Sequence, residues 1–372
     1  MKIVETWKIS HWQAMGYMIS IVFATAILFI PGITSKGAGP NAWLSLFIAL
    51  GFGLLVACLA CSLGLRYPNK TVIDYSVDIL GFPLGKLVGF IYIYYFFYAA
   101  YIVAREFSEL MSTVYLPKTP PLVIALVLTL LSCLVLYLGL EVIVRANGII
   151  LFFSILTILL VFFTYVWTIN WSMLKPDFFK GIGPILYGSV SPAAWFGQTA
   201  VILMLMPFIK NQSGAKPASL LAIFILFIML ESVIIVTVGI FGAATSSRLI
   251  FPLFYALAKP PEYIQAFLFQ PSGFFMVIWV PSMLLKLTTF FFAGVYGLAQ
   301  WFNLKCYRPL VLPGGAFILL LSIVSWHNII DLLNSSQYTV PLFITFANLG
   351  LTLILFSVSL IRHRNKNVKG RT

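Results

Sequence analysis

The sequence predicts an all-α integral membrane protein with ten transmembrane helices. Of its 372 residues 61% are hydrophobic and only 9% charged, its mean hydropathy is +1.02, and apolar runs of membrane length recur from one end to the other. No water-soluble chain of this size could hide so much apolar surface, so the solvent is lipid. In hydrocarbon every backbone N–H and C=O must be satisfied within a closed structure, and the alternation over about ten residues that marks a membrane barrel is missing. The runs are therefore helices.

Taken in order, runs of roughly 20 residues bounded by charge, proline or glycine fall near 11–31, 41–64, 84–114, 119–139, 142–168, 184–209, 217–245, 272–302, 309–326 and 337–361. The first follows Lys2 and Lys8 as a signal peptide would. It is too long for an h-region, has no A-x-A site and is followed by further spans, so it is retained. The second carries Cys58 and Cys61 in LLVACLACSLG. With no second pair and no nearby histidine, this C-x-x-C reads as packing by small, soft side chains and not as a zinc or redox site. The third and eighth are long enough to tilt or project. The sixth, YGSVSPAAWFGQTAVILMLMPF, collects Pro192, Gly197 and Pro207.

Ten spans place both termini on one side. Terminal-side loops would hold Lys2, Lys8, Arg66, Lys70, Lys86, Arg145, Lys210, Lys216, Lys305 and Arg308, together with the basic residues of the tail. The opposite side would hold only Lys36, Lys118, Lys175, Lys180, Arg248 and Lys259. By the positive-inside rule the termini are cytoplasmic. Residues 1–362 then form one membrane domain, and 363–372 a basic, disordered cytoplasmic tail suited to anionic lipid. The net charge of +13 is explained by these loops; the basic stripes with interleaved aromatics that mark nucleic-acid binding are absent.

Division into five plus five near residue 183 gives halves of about 8–183 and 184–362 that must cross the membrane in opposite senses, the inverted repeat of many secondary transporters. The first span of each half has its irregular residues at comparable depth: Ala24, Thr25 and Ala26 in span one, and Phe196, Gly197 and Gln198 in span six. Helix breaks there would offer backbone N–H and C=O groups to the carboxylate and ammonium of an amino acid.

Charges at depth are expected to face protein or water. Arg105 and Glu109, in YIVAREFSEL with Glu106, are spaced to pair across one helical turn, and Glu141 and Arg145 repeat that spacing at an interface. Glu231 and Lys286 each sit near the middle of a span. They either hold one another as an ion pair, or Lys286 replaces the cation bound by sodium-coupled transporters or acts as a proton-linked switch. Thr288 and Thr289 follow Lys286 as hydroxyls able to meet a ligand carboxylate or bond their own helix. Tyr98 and Tyr101, in the aromatic run of span three, are candidate pocket-wall residues. His11, His327 and His363 lie at span ends or in the tail, and no triad, P-loop, dinucleotide fingerprint or metal-ligand spacing is present. Enzyme activity, a metal and a cofactor are not expected.

Several segments together resemble the spore-germination amino acid permeases, the B subunits of nutrient germinant receptors within the amino acid, polyamine and organocation transporter superfamily. These are ISHWQ with a span ending ILFIPG, YIVAREFSELMSTVYLPKTPPLVI, GLEVIVRAN, YGSVSP with LMLMPF, IWVPSMLLKLTTFFF, and NLKCYRPLVLP, in that order over about residues 8–362. The resemblance implies a LeuT-type fold with broken helices one and six, and a mid-membrane ligand pocket at Ala24, Thr25, Ala26, Phe196, Gly197, Gln198, Thr288 and Thr289. It also implies sensing of a small nutrient such as an amino acid, assembly with an A-type membrane subunit and a C-type lipoprotein subunit, and residence in the spore inner membrane. The chain departs from the family in lacking glycine at the first break and in carrying Gln198 where an acid is common. A proton-coupled amino acid transporter acting without partners is the competing expectation. A scaffold or ion-conducting component that binds no nutrient is a third.

Overall fold

A computed structural model describes residues 8–258, 260 and 271–369, with side chains up to Arg362. Lys2, Lys259 and the side chains of the basic tail from residue 363 lie outside the described residues. Among the described residues there is no strand; the one isolated bridge pairs Ile9 with Ile209 and ties the N-terminal segment to the end of span six.

Each expected span meets a helix. Helix α1, His11–Ala38, starts at a capping box in which Ser10 Oγ accepts from the Gln13 backbone at 3.0 Å and the Gln13 side chain accepts from the Ser10 N–H at 2.8 Å. It turns through Gly39, at φ +60°, into α2, Ala42–Arg66. A short amphipathic α3, Val72–Leu80, leads into α4, Phe82–Leu110, which ends in a π-helical turn at Met111–Tyr115. Helices α5, Pro121–Leu138, and α6, Leu140–Tyr165, follow. Span six is α7, Gly183–Gly197, with α8, Ile202–Leu205. Span seven is α9, Ala215–Ser246, and a short α10, Pro252–Ala258, comes after it. Span eight is α11, Pro271–Trp301, and span nine is α12, Val311–Val324. Then come α13, Ile329–Gln337, and a last span made of α14, Thr339–Thr345, a π-helical turn at Phe346–Gly350, and α15, Leu351–Lys369.

By length and composition, eight helices among the described residues can cross a membrane, or nine if a bent pair counts as one. That tally joins α1 and α2 into a single run, His11–Arg66, because only a short 3-10 turn separates them. The bent pair is span nine and α13, which meet at 99°. Leu122, Leu134, Ile149, Phe152 and Phe163 on α5 and α6 are exposed, as a lipid-facing surface must be.

Two features differ from expectation. Span one is not broken: α1 is continuous past Ala24, Thr25 and Ala26 and runs seven residues beyond Pro31. All three residues keep their N–H groups and none is glycine, so the hydrogen-bond ladder continues, and Pro31 removes only one donor from it. Span six does lose its α-geometry, at Gln198–Val201, where the helix tightens to 3-10. In the tail, the α15 backbone stays helical to Lys369 where coil was expected.

Candidate functional site

Two helix midpoints meet in the core: Thr25 is halfway along α1 and Lys286 halfway along α11. Gly197–Gln198 is halfway along the Gly183–Phe208 span, which packs on α1. Lys286 is 1% exposed and donates to Thr25 Oγ1 at 2.6 Å. An ammonium this deep can persist only with partners, and its second neighbour is the carboxylate of Glu106 on α4, close enough to act on it electrostatically. Below that level Thr289 Oγ1 lies 2.6 Å from both Tyr17 Oη, to which it donates, and the Leu285 carbonyl of its own helix. Above it Trp279 Nε1 donates to the Ala24 carbonyl at 2.7 Å, and the Trp279 ring stacks on Phe107 with centroids 5.5 Å apart. Helices α1, α4 and α11 are thus laced together around a buried cation.

The other expected residues are distributed around this centre. Ala26 is fully buried in α1. Phe196 is fully buried, and the open side of Gly197 faces Phe52 and Asn348. Gln198 is buried with its Oε1 unpartnered. Asn348, in the π-helical turn of the last span, donates to Tyr95 Oη at 2.9 Å, and the Tyr95 ring meets Phe290 edge-on. Thr288 only bonds its own helix, through the Leu284 carbonyl at 2.7 Å. Tyr98 packs on Phe343 and Tyr101, and Tyr101 on Trp326 in the bend between α12 and α13, while Tyr95, one turn earlier, meets both α11, through Phe290, and the last span, through Phe343 and Asn348.

The charged pairs separate cleanly. Arg105 and Glu109 form a buried ion pair at 2.6 Å, and the guanidinium also donates to the Ser322 and Ile323 carbonyls at the end of α12. Glu141 and Arg145 pair at the surface. Glu231 does not pair with Lys286: both its carboxylate oxygens are buried without a partner. Glu106 is the buried acid that periodicity alone passes over. It follows Arg105 directly, so it points about 100° away on the helix, and Lys286 of α11 acts on it electrostatically. The signal was an acid left over in an apolar span once Arg105 and Glu109 had been matched.

On the side of the N-terminal segment a cavity of about 510 Å³ is lined by Lys8, Thr71, Asp74, Lys86, Tyr296 and Gln300, among others. Thr71 donates to Gln300 Oε1 at 2.6 Å and Gln300 Nε2 to Asp74 at 2.9 Å, while Lys86 caps the Trp301 carbonyl. Phe208, packed on Tyr296 and Phe292, also lines this cavity, and Phe292 lies one turn from Thr289. A much smaller void of about 10 Å³ lies beside the centre, against Ala24, Ser154, Thr157, Trp279 and Ser282. No group of three or more potential metal-ligating side chains occurs among the described residues.

Comparison with known proteins agrees with this architecture. MhsT in complex with L-phenylalanine superposes with a TM-score of 0.67 at 13% identity, over 96% of this chain and 99% of that one. A variant of the manganese transporter of Eremococcus coleocola gives 0.64 at 16% identity, over 95% of this chain and 82% of that one. The fold is that of the LeuT-type transporters. Among curated proteins of Bacillus subtilis (strain 168), spore germination protein KB is 27% identical over 98% of this chain and 97% of its own length. Spore germination protein YndE is 23% identical over 81% and 83%, and spore germination protein A2 is 22% identical over 82% and 84%. A family model described as "Spore germination protein" matches residues 8–330. The chain, an integral membrane protein of transporter fold, therefore belongs to the spore germination protein family of permeases.

Proposed function

We propose that this protein is the permease-like subunit of a spore germinant receptor, binding a small nutrient, an amino acid in the first instance, at mid-membrane. The observation that carries the reading is Lys286, a cation at the centre of the fold held by a hydroxyl of α1 and facing an acid of α4. A buried charge of this kind is costly unless it has a task, and it joins the helices whose relative packing a ligand could bias. Ala24, Thr25, Phe196, Gly197, Gln198 and Thr289 are the remaining pocket candidates, joined by Tyr95 and Asn348, which bond one another in the core. Membership of the family supports assembly with an A-type membrane subunit and a C-type lipoprotein in the spore inner membrane. The excess of basic residues in alternate loops supports cytoplasmic termini, with the tail against anionic lipid. On this reading residues 8–183 and 184–362 are the two inverted halves.

The decisive measurement is the germination response of spores carrying Lys286→Met, read beside the protein's level in their membranes. Loss of response to one nutrient at normal level is expected; a normal response at normal level rejects the role. A second reading, a proton-coupled amino acid transporter without partners, draws support from the cavity of about 510 Å³, which lies beside the N-terminal segment, α3 and the C-terminal end of α11 as the mouth of a transport route would. Uptake of labelled amino acids by purified protein in liposomes favours it.

A further inference from the structure

The cavity of about 510 Å³ beside the N-terminal segment is lined by three lysines, Lys8, Lys70 and Lys86, and two acids, Asp74 and Asp78. Both acids already have donors: Lys70 pairs with Asp78 at 2.6 Å, and Asp74 accepts from Gln300 Nε2. Lys8 and Lys86 meet no carboxylate among the described residues; each donates to a backbone carbonyl, that of Pro207 and that of Trp301. Two ammonium groups at one cavity thus lack a counter-charge, which an anion would supply. Lys86 is one turn inside the start of α4 and Trp301 is the last residue of α11. The cavity therefore lies where two membrane-length helices end, at the level of lipid headgroups. From this level an apolar stripe runs into the membrane. Leu87, Phe90 and Tyr94 recur at the i, i+3, i+7 spacing of one helix face and are all exposed. Phe90 and Tyr94 lie about 6 and 12 Å farther along α4 than Lys86. The Trp301 ring joins the two parts, with Lys86 Nζ 5.0 Å and the Phe90 ring centroid 6.0 Å from its centroid.

We infer that this cavity and the α4 stripe form a binding site for an anionic phospholipid, whose phosphate is taken by Lys8 and Lys86 and whose acyl chains lie along Leu87, Phe90 and Tyr94. A cationic cavity that opens onto an apolar track matches a ligand with an anion at one end and hydrocarbon at the other. A headgroup that carries its own cation fits less well, because Asp74 and Asp78 are already engaged and the cation would meet the two lysines. The bound lipid joins the N-terminal segment, through Lys8 next to the Ile9–Ile209 bridge, to the start of α4. The site depends on neither the receptor nor the transporter reading.

The test is thermal unfolding of the purified full chain in detergent, titrated with dioctanoyl phosphatidylglycerol, dioctanoyl phosphatidylcholine, glycerophosphoglycerol and inorganic phosphate. The expected result is saturable stabilisation by phosphatidylglycerol, with each of the other three binding at least tenfold more weakly. Lys86→Gln and Lys8→Gln are each expected to weaken phosphatidylglycerol at least fivefold while shifting phosphatidylcholine by less than twofold. Lys175→Gln, in the loop before span six, should leave both lipids unchanged. Phosphatidylcholine binding within threefold of phosphatidylglycerol overturns the inference. So does inorganic phosphate or glycerophosphoglycerol within threefold, which would mark an anion cavity that ignores the acyl chains, and so does the absence of any stabilisation. Undiminished phosphatidylglycerol binding by either lysine variant also overturns it. Lys8 is exposed, so Lys8→Gln decides the lysine arm even if Lys86→Gln fails to fold.

Discussion

At the scale of single residues, burial sorts four similar-looking charges into different roles. The Arg105 and Glu109 side chains are 5% and 9% exposed, those of Arg145 and Glu141 70% and 35%. Breaking a buried pair strands a charge, at a cost of about 3–5 kcal/mol, so Arg105→Ala is expected to lower the melting temperature in detergent sharply. Glu141→Ala breaks an exposed pair worth about 0–1 kcal/mol and should leave it nearly unchanged. Glu231 has no partner for either carboxylate oxygen. Replacing an unsatisfied buried polar group by an apolar one of similar shape is close to neutral or stabilising, so Glu231→Leu should preserve or raise the melting temperature. A clear fall would show that Glu231 has a partner after all. Periodicity made the Arg105–Glu109 pair and the depth of Lys286 legible. It could not choose between Glu106 and Glu231 as the acid facing Lys286, because that depends on which helix neighbours α11.

At the scale of elements, each apolar run of the sequence falls on a helix, but its interior geometry was not legible. Pro192, Gly197 and Pro207 marked span six, and its ladder does change at Gln198, where mid-helix 3-10 geometry suits a hinge. Span one was read the same way from its position in the repeat, yet α1 stays intact because Ala24-Thr25-Ala26 retains every donor. The π-helical turn at Phe346–Gly350, which holds Asn348 at the core, follows no compositional rule. Within α9 the chain turns at Gly242, with φ 73° and ψ 159°, a region open almost only to glycine. Gly242→Ala is therefore expected to cost about 1–3 kcal/mol, measurable as a loss of folded protein on heating in detergent.

At the scale of the whole molecule, the orientation that the charge distribution supports can be checked directly. In a chain whose other native cysteines are replaced, Cys306, partly exposed beyond the end of α11, should react with an impermeant maleimide only after the membrane is opened. With all four native cysteines replaced, Phe179→Cys, at a fully exposed position in the loop before span six, should react on intact cells or vesicles of native orientation. The reverse pattern would invert the topology and place the cavity of about 510 Å³ on the outer side.

Hydropathy by itself determined that the chain lives in lipid, that it is helical and where its long apolar helices lie, because a bilayer leaves the backbone so few ways to satisfy itself. The order of its short motifs determined the family. What only the tertiary structure decided is the meeting of residues distant in sequence: Thr25 with Lys286, Ala24 with Trp279, and Tyr17 with Thr289. Those meetings depend on how helices pack and rotate about their own axes, and a span that is apolar on nearly every face carries too little amphipathic pattern to announce which side it turns to its neighbours.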